Sequence, residues 1–170
     1  LKHIINTKNI VLVTLIILLG LFGFYLYNAY HAEDPPTWMA NIKEDIRQMR
    51  DPMHHNTYDK GECTYYVFDK VKADGNMIEK SWRDAEHWAN KAEEDGYIVN
   101  NTPKEGALLQ TDTGPIGHVA YIEHINDDGS VHISEMNLHE AYEITERTID
   151  SEQLEAYQVI HPKENPHAPK

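Results

Sequence analysis

Asn9 to Tyr30 (NIVLVTLIILLGLFGFYLYNAY) contains no charged residue, and this run constrains the 170-residue chain more than any other. Its apolar heart, Ile10 to Tyr27, reaches the ~18–20 residues with which a helix crosses a bilayer core. It has no polar face, so it does not read as a core helix of a globular domain. A cleaved signal peptide is the rival reading. Such a segment has a shorter apolar region and ends in a small-x-small site, and Tyr30-His31-Ala32 is a poor one. The expectation is an uncleaved single-pass anchor over residues 9–30, behind a cytoplasmic segment of residues 1–8. Lys2 and Lys8 precede the span and acidic residues follow it, which puts the N-terminus inside and the remainder outside the cell membrane. Tyr25, Tyr27 and Tyr30 suit an aromatic belt at the outer interface. Secretion after signal cleavage is the alternative localisation.

All 28 acidic residues, but only 13 of the 15 lysines and arginines, lie after Ala32. An acidic body of this kind argues against nucleic acid as a partner, because phosphate contacts need a basic face. It argues equally against docking on anionic polymer by bulk charge.

Beyond the span, residues 31–52 read as an extracellular linker. Glu33-Asp34-Pro35-Pro36 breaks the first helix, and Thr37 caps a short one with Trp38, Ile42, Ile46 and Met49 at helical spacing. Asp51-Pro52 ends it. The globular unit is expected over residues 53–162. Helices are expected at Cys63–Val71 and Ser81–Glu94, the latter stopped by Gly96. Strands follow at Tyr97–Val99, Ala107–Thr111, His118–Ile125, Ser130–Asn137 and Tyr157–Ile160. Helices first and antiparallel strands after make an α+β domain. Trp82 and Trp88 read as core. The proline-rich residues 163–170 (KENPHAPK) are expected to be disordered.

Cys63 is the chain's single cysteine. A lone cysteine is by default a small buried hydrophobe. Outside the cell, however, an unpaired thiol is a liability unless it is used. Gly61-Glu62 precedes a helix, so Cys63 falls in the first turn, where the dipole favours a thiolate. Partners come from the hairpin signalled by Asn126-Asp127-Asp128-Gly129. A turn centred on Asp127 and Asp128 sets His118 opposite Asn137 and Ala120 opposite Glu135. Opposed and alternate residues share a face, so His118, Glu135 and Asn137 project together. A shift of one residue would destroy that parity. By the same count, His124 and His132 fall on opposite faces. An imidazole acting as a base needs an acceptor on its other nitrogen, which Glu135 or Asn137 can supply.

Four ordered blocks extend this reading: GECTYYVFDK, SWRDAEHWANKAEEDGYIVNNTPKEGALLQT, GHVAYIEHINDDGSVHISEMN and YQVIHP. In these the chain resembles the CHAP family, the cysteine- and histidine-dependent amidohydrolases/peptidases of bacterial cell-wall metabolism, in its secretory-antigen type. The resemblance covers about Asn56 to Pro162. It implies a papain-like α+β fold with the cysteine helix packed on an antiparallel sheet. It also implies Cys63 as nucleophile, His118 as base, Glu135 as the group orienting the histidine, and Asn137 as an auxiliary polar residue. The chain departs from the family pattern at Glu62. Many members carry glutamine there, beside the developing oxyanion, which a carboxylate would repel. Either the Cys63 amide carries that role or Glu62 points to solvent. His54 to Asp59 lacks the spaced carboxylates of a calcium loop, and His54-His55 has no third ligand in view. No cofactor or metal is expected.

The expected function is therefore membrane-anchored peptidoglycan hydrolysis at an amide of the stem peptide or cross-bridge, as an N-acetylmuramoyl-L-alanine amidase or endopeptidase, through a cysteine thioester. An envelope-spanning secretion or conjugation machine is the partner that tethering suits. The alternative is a non-catalytic CHAP-like module binding wall peptide or an assembly partner, with Glu62 as its sign.

Overall fold

A computed structural model describes residues 7–168; Lys2 and the last two residues, with the expectations placed on them, lie outside this range. The chain divides into two compact units, one reaching to Met49 and one starting at Arg50.

The first unit holds α1 (Thr7–His31) and α2 (Thr37–Arg50). With 25 residues, α1 is about 37 Å long, long and apolar enough to cross a membrane by length and composition. Its polar side chains turn back on its own backbone: Thr14 Oγ1 donates to the Ile10 carbonyl (2.9 Å) and Asn28 Nδ2 to that of Phe24 (2.8 Å). After the proline break, α2 forms where the apolar spacing places it, and Lys43 Nζ lies 4.7 Å from the centre of the Tyr30 ring.

The second unit is α+β. It comprises α3 (Cys63–Ala73), β1 (Asn76–Met77), a 3₁₀ turn (Ala85–His87) leading into α4 (Trp88–Glu94), β2 (Ile98–Asn100), β3 (Leu108–Thr111), β4 (His118–Ile125), β5 (Val131–Met136), β6 (Ile144–Ile149), β7 (Gln158–His161) and β8 (Lys163–Glu164). The main sheet is antiparallel, in the order β2-β7-β3-β4-β5-β6. Strand alternation supplies two cores. Leu108, Val119 and Tyr121 join Val67, Phe68, Val71, Trp82 and Trp88 in one. Leu109, Ala120, Ile122, Ile133 and Ile149 form the other.

A polar chain seats α3 on the sheet. Tyr66 Oη donates to Ser134 Oγ (2.9 Å), which donates to Glu123 Oε1 (2.5 Å), and Lys70 Nζ lies 2.7 Å from the same oxygen. Glu123 reaches these partners from a bulge in β4. Tyr121 pairs with Ser134 and Ile122 with Ile133, but His124 pairs with His132. The extra residue shifts the register by one.

Four sequence expectations need correction. The region 81–84 is not helical, because Arg83 takes a left-handed backbone (φ 65) and the helical stretch starts only at Ala85. The edge strand β6 was not anticipated, since ITERTI is short and leaves its outer face to solvent. The bulge brings His124 and His132 onto one face, their ring centres 4.9 Å apart. Finally, the described part of the 163–170 tail is ordered. There β8 pairs with β1. The Asn165 N–H donates to the Gly75 carbonyl (3.0 Å), and its Nδ2 donates to Asp51 Oδ1 (2.7 Å). Composition predicted disorder because proline and polar residues rarely bury enough to order a chain, but here those polar groups find buried partners.

Asn165→Ala should therefore destabilise the second unit by about 1–3 kcal/mol, because it leaves the buried Asp51 carboxylate short of a donor. The urea midpoint, at unchanged slope, measures this; a midpoint equal to the parent's would return the tail to an ornamental role.

Candidate active site

Gly61 (φ 92) turns the chain into α3, and Glu62 takes the extended N-cap position (φ −96, ψ 156). Cys63 is thus the first residue of the helix, buried and unpaired by any disulfide. The first N–H groups of a helix have no acceptor within it, so the Cys63 amide and thiol stand at the positive end of the α3 dipole.

His118 opens β4 at the same point. Its Nε2–H donates to Glu135 Oε2 (2.9 Å), which leaves Nδ1 as the ring nitrogen available to the neighbouring Cys63 side chain. Burial alone would push the imidazole toward its neutral form. Its interactions with Cys63 and Glu135 outweigh that and raise its pKa to about 9.

Glu135 is fully buried, with 0 % of its side chain exposed. Arg147 on β6 clamps it, with Nε donating to Oε1 (2.6 Å) and Nη2 to Oε2 (3.3 Å). Burial would raise this carboxyl. The bonds from His118 and Arg147 prevail, and its pKa stays below the ordinary carboxylate value. A buried carboxylate with an imidazolium on one side and a two-pronged guanidinium on the other is satisfied in charge and geometry.

Asn137 follows a different course. A left-handed backbone (φ 60) turns it out of β5, and its Nδ2 donates to Glu62 Oε2 (2.7 Å). Glu62 does not simply point away to solvent; it lines, with Cys63, a cavity of about 390 Å³. Tyr58, Asp59, Lys80, Arg83, Asp84 and Ile116 contribute other parts of the wall. Tyr121 is a core residue and no part of this wall.

His118 and Glu135 therefore share a face as the hairpin count predicts, Cys63 meets His118 from the start of α3, and Asn137, counted on the same face, turns instead to Glu62. Sequence reasoning missed Arg147. The signal was present in the alternation of ITERTI: once β6 pairs with β5, Glu135 faces Thr145, and Arg147, two residues on, shares that face.

Residues 53–137, half of the chain, match the family model for the CHAP domain. The chain belongs to the CHAP domain family. Its CHAP region is 48% identical over 109 residues to the probable autolysin SsaALP of Staphylococcus aureus, covering 64% of this chain and 41% of that protein. It is 52% identical over 107 residues to the staphylococcal secretory antigen SsaA of the same species, covering 62% and 41%. A solved structure of N-acetylmuramoyl-L-alanine amidase from Staphylococcus aureus superposes with a TM-score of 0.59 at 34% identity, covering 64% of this chain and 34% of that one. The chain thus spans about two fifths of the length of these curated relatives. The CHAP fold accounts for the helices and antiparallel sheet of the second unit.

In the CHAP domain the raised His118 value has a definite linkage sign. Its contribution to folding is fully present below the ordinary value of 6.5 and is lost as pH rises through about 9. Glu135→Gln removes the charge that holds the proton. His118 followed by NMR should then titrate well below 9, back toward 6.5, and a value unmoved by the substitution would show that Glu135 does not govern this imidazole.

Proposed function

We propose that this chain is a peptidoglycan hydrolase in which Cys63 attacks an amide carbonyl of the stem peptide or cross-bridge. The observation that carries the reading is the contiguous set Cys63, His118 and Glu135, of which Cys63 lines an open cavity. The CHAP family and the autolysin and amidase names of its relatives support the substrate class.

In this reading His118 Nδ1 holds the thiol proton while the Cys63 sulfur forms a bond to the carbonyl carbon. The tetrahedral oxyanion lies near the Cys63 N–H at the start of α3. Collapse expels the amine, which takes the proton from His118, and leaves a thioester. His118 then removes a proton from water, the hydroxide attacks the thioester, and the carboxylate product leaves with the thiol restored. Glu135 keeps the imidazole oriented and charged, and Arg147 keeps Glu135 ionised and in place. Asn137 acts on the site by holding Glu62. No metal or cofactor has a part in these steps.

The apolar α1 supports a single-pass anchor over residues 9–30, N-terminus inside and the CHAP domain outside. A tether confines cutting to wall close to the membrane, a placement suited to opening the wall for an envelope-spanning secretion or conjugation machine. The rival, a module that only binds wall peptide, rests on Glu62.

Cys63→Ala and His118→Ala should each reduce clearing of purified wall by several powers of ten without loss of fold, and the two losses should not add. A folded Cys63→Ala chain that still clears wall at near the parent rate would sink the mechanism. Mass spectrometry of the digest identifies the bond cut.

Glu62→Gln should be neutral or activating. The new amide still offers Asn137 an oxygen and turns its NH₂ toward the cavity, where one oxyanion donor has been worth ~2.7–4 kcal/mol in another hydrolase. Wall clearing and iodoacetamide labelling of both proteins across pH make the test. A tenfold or greater loss of turnover would give the carboxylate a positive catalytic part, and a parent unable to label or clear would favour the binding module.

A further inference from the structure

Three non-glycine residues among those described hold a left-handed backbone: Arg83 (φ 65), Asn137 (φ 60) and Tyr142 (φ 70). All three stand around the start of α3. Asn137 binds Glu62, the Tyr142 N–H donates to the Gly61 carbonyl (3.0 Å), and Arg83 lines the cavity with Cys63. Backbone strain of this kind persists where the surroundings impose it, and it gathers at functional sites. Asparagine tolerates the conformation best of the three. Arginine has no such tolerance.

The surroundings of Arg83 do impose it. Trp88 Nε1 donates to the Arg83 carbonyl (2.9 Å) and Gln110 Nε2, from β3, to that of Ala85 (3.0 Å). The Glu86 N–H donates to the Ile116 carbonyl (2.9 Å). Gly117 packs so closely behind that a Cβ there would lie 2.4 Å from the Glu86 nitrogen. Gln110 and Ile116 belong to the strand and turn that lead to His118. Arg83 is therefore held at a set distance from the reacting pair rather than on a loose loop.

Its guanidinium, meanwhile, has no hydrogen-bond or ion-pair partner among the described residues. This is an unpaired cation in the wall of a cleft, in a chain with 28 acidic residues against 15 basic ones. Lys80 adds a second positive charge to the same wall. Asp59, Glu62 and Asp84 also line the cavity, so a polyanion would be repelled. A single planar carboxylate that reaches the guanidinium fork is the ligand matched in charge and shape.

We propose that Arg83 forms a carboxylate-binding subsite of the cleft: it takes a free carboxylate on the peptide part of the substrate and so sets which amide lies over Cys63. The proposal rests on the peptide-hydrolase reading for its substrate class, and Arg83 acts as a specificity determinant rather than in the bond-breaking steps.

The test uses the full chain in detergent micelles with Cys63→Ala, so that binding is read without turnover. The probes are the tetrapeptide stem of peptidoglycan with its carboxylates free and the same peptide with them amidated. NMR titration should show the free acid bound at least tenfold more tightly. Adding Arg83→Gly should abolish that preference with no fall in Tm, because φ 65 suits glycine better than arginine. Arg83→Lys should retain part of it. Equal affinity for the two peptides in the Arg83 chain, binding of neither, or a preference that survives Arg83→Gly would each overturn the subsite. Wall clearing by the Cys63-bearing chain is scored separately. A retained carboxylate preference without clearing would sink the hydrolase reading and leave the subsite standing; clearing without the preference would do the reverse.

Discussion

Glu135 places a carboxylate with no exposed surface at the centre of the second unit, and the geometry of the cleft follows from how that charge is satisfied. Desolvating a carboxylate costs several kcal/mol, and only well-placed partners offset it. Arg147 supplies two donors and His118 one. The three residues come from three adjacent strands, β6, β5 and β4. One ionic cluster therefore ties the sheet edge to the strand that presents the imidazole. It also leaves His118 one ring nitrogen, the one that serves Cys63.

The cysteine has to arrive at that nitrogen, and a second polar chain brings it. Tyr66 and Lys70 are on α3; Ser134 is on β5, one residue before Glu135; Glu123 sits in the β4 bulge. The helix is thus bonded to the same two strands that carry His118 and Glu135. The left-handed residues around the helix start complete the frame, with Asn137 holding Glu62 and Tyr142 closing over Gly61. A Cβ at Gly61 would meet the Tyr142 ring at 2.7 Å, so the position before the N-cap accepts glycine for steric as well as dihedral reasons.

The parity that places His118 and Glu135 together was right in the sequence for a reason the sequence did not contain. A two-residue turn at Asp127 and Asp128 gives the correct pairing near the site. The actual turn is one residue longer, since Ile125 pairs with Val131 and the Asn126 N–H donates to the Ser130 carbonyl. The bulge at Glu123 then adds one residue on the other strand, and the two departures cancel before Tyr121. Between turn and bulge they do not cancel, which is why His124 and His132 face each other.

What the chain determines locally is its set of elements. The uncharged run makes α1, the proline break and apolar spacing make α2, Gly61-Glu62 starts α3 at Cys63, and period-2 alternation marks β3, β4 and β5. These follow from interactions a few residues apart. Tertiary structure decided everything that depends on which strand lies beside which. It paired Arg147 with Glu135, turned Asn137 to Glu62, and ordered Asn165 against Asp51. It also imposed a left-handed backbone on Arg83, where a helix had been expected. Each of these contacts satisfies a polar group or forces a dihedral angle through residues distant in the chain, and no local pattern encodes that distance.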